Sequence, residues 1–425
     1  MSHAQPKNGV VRFLLEFSIP LIAGVVVALI WANVAPENYK HLWGGHNDHP
    51  WELIPGFSIL GHHLTLKFFV NDVFMVFFFG IAAKEITEAC LPGGSLNPPS
   101  KAVSPLIATI GGVAGPVGVF FLGLYLLHGA GAFPETYSFE ALARGWGIPT
   151  ATDIALAWLV ARAVFGKGHP AINFLLLLAV ADDAIGLVII AIFYGDPAHP
   201  AQWSMLLITL LGMAVAFGLR RAGVKDWRLY IFVAGPLAWC GLVMAHLHAA
   251  LALVFIVPFL PGPKRDTGLF VHEDEVDVAK AAGDGHGDEE HAPLEQFEDS
   301  LKTFVDIGLF FFAVGNAGVG FGEIGPMTWL ILASLVVGKT IGIFGLAALV
   351  TKLGIPLPDR MGMKELVMAG FIAALGLTVA LFVAGAAFTD PSLQAQAKMG
   401  ALFSGGVGFA AIALGKALGV GRPSE

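Results

Sequence analysis

The chain has 425 residues, of which 56% are hydrophobic and only 13% charged. Soluble globular domains carry roughly 25% charged residues, so a water-soluble fold is excluded, in line with a mean hydropathy of +0.73. The net charge of −8 is concentrated rather than spread: residues 264–299 hold twelve Asp/Glu against three Lys/Arg, leaving +1 for everything else.

In chain order, apolar runs separated by Pro, Gly and charge clusters predict an all-α polytopic membrane protein of about twelve spans. They lie near 12–33, 64–89, 102–127, 147–166, 170–194, 202–220, 228–245, 246–262, 298–319, 327–351, 363–388 and 394–417. Runs of this length cross a hydrocarbon core of about 30 Å, and the 53 glycines let membrane helices approach closely. The first run exceeds the roughly 7–15 residues of a signal h-region and lacks a small-residue cleavage site, so it is expected to be the first span. Residues 34–63, with YKHLWGGHNDHPWEL at 39–53, place a Gly-Gly/Asn-Asp turn between Trp-bearing flanks and predict an extracytoplasmic hairpin. Residues 264–297 predict a flexible acidic connection on the cytoplasmic side.

Twelve spans put both termini on one side. Most Lys and Arg fall there, Arg220, Arg221, Lys225 and Arg228 among them, whereas Lys40, Arg144 and Lys398 fall on the other. The positive-inside rule makes the termini cytoplasmic. Cys90 and Cys240, far apart in or beside apolar runs, make no disulfide framework. No Walker A motif and no nucleic-acid-binding patch is present.

Charged residues inside spans cost about 2.5–3.5 kcal/mol each on insertion scales and mark pathways. Here they are Asp72 in FFVNDVFMVFFF, Asp153 in GIPTATDIALAW, Asp182 and Asp183 in LLLLAVADDAIGLVII, and Lys339 in LVVGKTIGIF. Structural pairs that tie helices together are the alternative, and five such residues in one chain favour function. Adjacent helical residues point about 100° apart. Asp182 and Asp183 therefore cannot form a symmetric clamp: one is expected to face an ion cavity, the other a neighbouring helix. Desolvation and a nearby negative charge both favour the protonated form of a carboxylate, so a cavity carboxylate holds either a proton or a small hard cation, the chemistry of cation/proton exchange.

GWGIPTATD at 145–153 reads as a discontinuous helix at a transporter midplane, whose freed carbonyls and Thr oxygens suit Na⁺. A plain N-capped helix start at Thr152 or Asp153 is the other reading. AALGLTVALF at 373–382 is a weaker counterpart.

Together, Asn71-Asp72, TATDIA at 150–155, ADDAIG at 181–186, GNAGV at 315–319, GKTIGI at 338–343 and GLT at 376–378 resemble the NhaA-type sodium/proton antiporters over roughly residues 12–418. The resemblance implies an electrogenic Na⁺ or Li⁺/H⁺ antiporter of the bacterial inner membrane, working without a cofactor in sodium and pH homeostasis. It implies Asp183 as the principal cation and proton carboxylate, Asp182 as the partner of Lys339, and Thr152 as a hydroxyl beside the cation. Asp153 and Lys339 would offset facing helix N- and C-terminal ends, Asp72 would be a supporting intramembrane charge, and residues 34–63 would be a homodimer hairpin. Spans 3–5 and 10–12 would be inverted repeats with the fourth and eleventh spans broken and crossing. The chain departs from that family in its long acidic connection and in a second span whose cytoplasmic end carries only Lys84, Glu85 and Glu88. Glu85, His246 and His248 are the pH-response candidates, although the two histidines also suit capping and packing.

Weaker signals remain. Gly285-His286-Gly287-Asp288 spells the GxGD of intramembrane aspartyl proteases, but in a polar loop. His286 and His291 sit near carboxylates that would suit a transition metal, or they are part of a solvated titrating loop. A sodium/organic-anion symporter would show no proton coupling; a protease or non-transporting sensor would show cleavage or binding without ion flux.

Overall fold

The computed structural model describes residues 18–43, 52–54, 58–60, 62–92, 94, 96–97, 99–195, 200–262, 292–358 and 360–420, and these are mostly helical. Two short helices, α1 (Ile19–Val34) and α2 (Pro36–Trp43), precede α3 (Leu66–Cys90) and α4 (Pro99–Gly129). A bent pair follows, α5 (Phe139–Thr150) and α6 (Ile154–Phe165), then α7 (Pro170–Phe193), α8 (Trp203–Arg221), α9 (Trp227–Met244) and the short α10 (Ala249–Phe259). The second half holds α11 (Pro293–Asn316), α12 (Pro326–Lys352), α13 (Met363–Ile372), α14 (Thr378–Ala387) and α15 (Pro391–Leu418). Seven of these are long and apolar enough to cross a membrane, eight if α5 and α6 count as one span. Large apolar side chains such as Leu122, Ile192 and Leu207 are exposed, as lipid-facing positions of a multi-pass membrane protein are.

Packing brings α4 and α12 together at the centre. Gly111 and Gly115 of α4 lie against Gly342 and Gly338 of α12, and a Cβ on any of the four would collide with the facing backbone. That close approach positions Lys339, which directly follows a π-helical turn over Ser334–Gly338. Asp72 lies within a second such turn, Phe69–Phe74 of α3. Turns of this kind widen a helix locally and occur often at functional sites.

Two expectations need correction. Residues 36–43 are helical rather than a hairpin flank: Pro36 opens the helix, Glu37 sits in its first turn and Lys40 and His41 in its last, the charge order that suits a helix dipole. Tyr39 then docks on α11, its hydroxyl donating to the Val314 carbonyl at 2.7 Å. The only strand pair among the described residues is Ser58–Ile59 against His62–His63; the predicted Gly-Gly/Asn-Asp turn lies outside them. Second, α11 starts at Pro293, five residues before the expected span, because Glu295 caps it by accepting from the Ala292 amide at 2.9 Å. The run 246–262 carries only the short 3₁₀ segments Ala249–Phe255 and Val257–Phe259. Most of the acidic connection, with the GxGD run, His286 and His291, lies outside the described residues.

Candidate functional site

α5 ends at Thr150, just past Pro149, the chain runs extended through 151–153, and α6 leaves at 51°. Between α13 and α14 a second interruption spans 373–377. The two meet: the Asp153 amide donates to the Leu375 carbonyl at 2.6 Å, and the Thr152 hydroxyl lies 3.0 Å from the Ala373 carbonyl. In a bilayer, backbone groups freed by such breaks need internal partners, and the crossing supplies several of them. Gly376 makes the approach feasible, since a Cβ there would lie 2.9 Å from a Leu335 methyl and 3.0 Å from the Ala151 carbonyl oxygen.

The buried Asp153 carboxylate serves both half-helices. One oxygen accepts from the Leu156 amide of α6 at 3.1 Å. The other accepts from the Thr378 amide at 3.3 Å and the Thr378 hydroxyl at 3.0 Å, at the start of α14. Each helix N-terminus carries about half a positive charge, so one carboxylate lies where two such ends converge.

Across the crossing, Asp182 and Lys339 are wholly inaccessible to solvent. The Lys339 ammonium donates to Asp182 Oδ2 and to the Thr152 hydroxyl at 2.7 Å. Thr152 has one proton to give, with Asp182 Oδ2 at 2.8 Å and the Ala373 carbonyl at 3.0 Å as acceptors. The other oxygen of Asp182 is buried without a hydrogen-bond partner, and so is Oδ1 of Asp183. Gly112 of α4 faces this oxygen closely, since a Cβ there would lie 3.6 Å from Asp182 Oδ1 and 3.2 Å from an Ile343 carbon. Five predicted residues, Thr152, Asp153, Asp182, Asp183 and Lys339, thus lie at or beside one crossing of interrupted helices. The donors are carboxylate, hydroxyl and carbonyl oxygens, a hard set suited to protons and hard cations. Among the described residues, no group of three or more His, Cys, Asp or Glu is placed to hold a metal ion.

Asp72 belongs to a different neighbourhood. Its carbonyl accepts from the Trp239 indole at 2.7 Å, and its carboxylate lies 3.9 Å from His248 Nδ1. The His248 ring sits 4.5 Å from that of Phe382 in α14, and its Nδ1 is buried without a hydrogen-bond partner. His246 occupies a left-handed turn (φ 57°), 3.4 Å from the Gln202 amide. Glu85 is some 20 Å further along α3 than Asp72. It lies 3.5 Å from the Lys84 ammonium, which also pairs with Glu88 and with Glu298 of α11. The three pH-response candidates therefore do not form one cluster.

Sequence reasoning missed two supports of the crossing. Tyr194 donates to the Arg144 carbonyl at 2.7 Å and accepts from the Gly147 amide at 2.8 Å, while Arg144 reaches the Ala387 carbonyl at the end of α14, at 3.1 Å. On α15, Ser404 accepts from the Gly376 amide. A lone Tyr after an apolar run and a lone Ser among glycines carry no distinguishing pattern.

Residues 15–416 match the profile of the family described as Na⁺/H⁺ antiporter 1. The chain is 56% identical over 416 residues to a Desulfitobacterium hafniense protein named Na(+)/H(+) antiporter NhaA, covering 98% of this chain and 97% of that one. A protein of the same name from Geobacter sulfurreducens is 55% identical over 412 residues, with 97% and 98% covered. One from Jannaschia sp. is 40% identical over 434 residues, with 95% and 97% covered.

Proposed function

Because the chain belongs to the Na⁺/H⁺ antiporter 1 family, we propose that it exchanges Na⁺, and Li⁺, for H⁺ at the helix crossing, carrying cytoplasmic Na⁺ out against inward protons. One observation carries the site assignment: of two adjacent carboxylates, Asp182 is matched by the Lys339 ammonium, while Asp183 keeps a buried oxygen without a partner. Asp183 is then the group that trades a proton for Na⁺, with Thr152 and the unpaired oxygen of Asp182 completing the oxygen shell.

Charge counting fixes what electrogenic exchange requires. Na⁺ displacing one proton from Asp183 moves no net charge. A second proton per ion comes from Lys339, whose ammonium loses its partner when the ion takes Asp182. Binding of both cations at once is excluded by the shared carboxylates, which is what couples the two gradients.

The membrane arrangement in this reading has twelve spans with both termini in the cytoplasm of a bacterial inner membrane, α5/α6 and α13/α14 each counting as one broken span. Helices α4–α7 and α12–α15 form two inverted repeats, each a long helix, a broken pair and a closing helix, with α4 and α12 dovetailed at their glycines. Glu85, His246 and His248 adjust the response to pH from two separate places, residues 34–63 join two copies, and the acidic connection 264–297 tunes ion supply at the cytoplasmic mouth. The test is a ΔpH assay in everted vesicles. Na⁺ or Li⁺ dissipates the acid interior; dissipation with no dependence on these ions, or none at all, rejects the reading.

A further inference from the structure

The two breaks are held from outside by two different helices. Asp182 of α7 reaches the first break through Thr152. The second break is reached from α15, where the Ser404 hydroxyl accepts from the Gly376 amide at 3.2 Å and donates to the Ala401 carbonyl at 2.6 Å. Ser404 is wholly buried and stands at the seam of α15, whose two helical segments end at Ser404 and resume at Gly406. An amide freed inside a membrane has no water to turn to, so this hydroxyl fixes where Gly376 lies. Gly376 in turn sits between the Ala373 and Leu375 carbonyls and Thr378, the three groups that meet Thr152 and Asp153.

We infer that Ser404 is a positioning residue of the exchange site: it touches neither carboxylate, but sets the register in which the second break presents its carbonyls to Thr152 and Asp153. This rests on the proposal that Na⁺/H⁺ exchange occurs at the crossing. The consequence is specific. Loss of the hydroxyl lets the 373–377 segment shift relative to Thr152, which weakens ion binding while leaving the titrating groups present, so affinity falls and maximal turnover stays.

The test measures Na⁺-dependent ΔpH dissipation in proteoliposomes for the full chain, Ser404→Ala and Ser404→Thr. Ser404→Ala raises the half-saturating Na⁺ concentration about three- to tenfold, the ratio expected for one net hydrogen bond, with maximal rate within about twofold. Ser404→Thr, which keeps the hydroxyl, stays close to the parent. An unchanged Na⁺ dependence in Ser404→Ala, or a fall in maximal rate at unchanged half-saturation, overturns the inference. Should Ser404→Ala not insert, Ser404→Cys, whose thiol fills similar space but accepts weakly, is read by the same split. A parent protein that exchanges Na⁺ beside an unaffected variant sinks this inference alone; a parent that exchanges nothing sinks the functional reading beneath it.

Discussion

On one side of α7, Asp182 is wholly buried, bound to the Lys339 ammonium and to the Thr152 hydroxyl. One residue further along, Asp183 is half-buried and keeps an oxygen with no hydrogen-bond partner. The two carboxylates are chemically identical and separated by about 100° of helix rotation, yet one is part of the framework and the other is available. A carboxylate already matched by an ammonium loses that partner if it binds a cation; an unmatched one gains. In the proposed exchange, the difference makes Asp183 the group that trades its proton for the ion and Asp182 the partner of Lys339 until the ion arrives, and it can be broken from either side.

The largest effect is expected on the framework side. Lys339→Ala leaves Asp182 buried and unpaired, and removing one partner of a buried pair costs about 3–5 kcal/mol, so thermal stability in detergent drops together with activity. Adding Asp182→Asn removes the stranded charge and restores part of the lost stability. If the double variant is no more stable than Lys339→Ala, the Asp182–Lys339 pair is not what holds the crossing.

A smaller effect is expected where one charge serves two helix ends. Asp153→Ala removes the cap from α6 and the contacts to Thr378, about 1 kcal/mol for each helix start. Asp153→Lys adds positive charge where two half-charges of the same sign converge, and should transport Na⁺ less well than Asp153→Ala. Equal residual exchange in both would leave Asp153 as an ordinary N-cap. The smallest effect is expected from the acidic connection. Deleting residues 272–290 removes eight Asp/Glu and one Lys, and solvated charge acts over a Debye length of about 8 Å at physiological salt. Apparent Na⁺ affinity and the pH profile should shift, mostly at low ionic strength, with maximal exchange retained. A correctly inserted deletion variant without transport at any Na⁺ concentration would assign that segment a direct role.

The two breaks differ in how much of them can be read from sequence. The first announces itself, because Gly145, Gly147 and Pro149 interrupt a span and Thr150, Thr152 and Asp153 supply its polar groups from within. The second carries only Gly376 and Thr378, ordinary membrane residues, and takes its remaining partners from Asp153, Thr152 and Ser404, which are 28 to 225 positions away. Periodicity and composition register what a segment contains, not what it borrows. The same limit hid Tyr194, which clasps α5 from the end of α7, and Glu298, which joins the Lys84 cluster from α11. It also explains residues 36–43: Trp-bearing flanks suit a hairpin, but the charge order within them and the docking of Tyr39 on α11 select a helix. The Asp182/Asp183 divergence was legible, since it follows from helix geometry alone; which of the two would meet Lys339 depends on where α12 lies.

Asp183→Asn tests the central claim most directly, because the amide keeps size and hydrogen-bonding capacity but can neither release a proton nor neutralise a cation. The measurement is Na⁺- and Li⁺-induced ΔpH dissipation in proteoliposomes, with the parent chain alongside and folding checked by thermal unfolding. The account predicts a folded variant of near-parental stability with no exchange at any Na⁺ concentration. A variant that still dissipates ΔpH on addition of Na⁺ would contradict it.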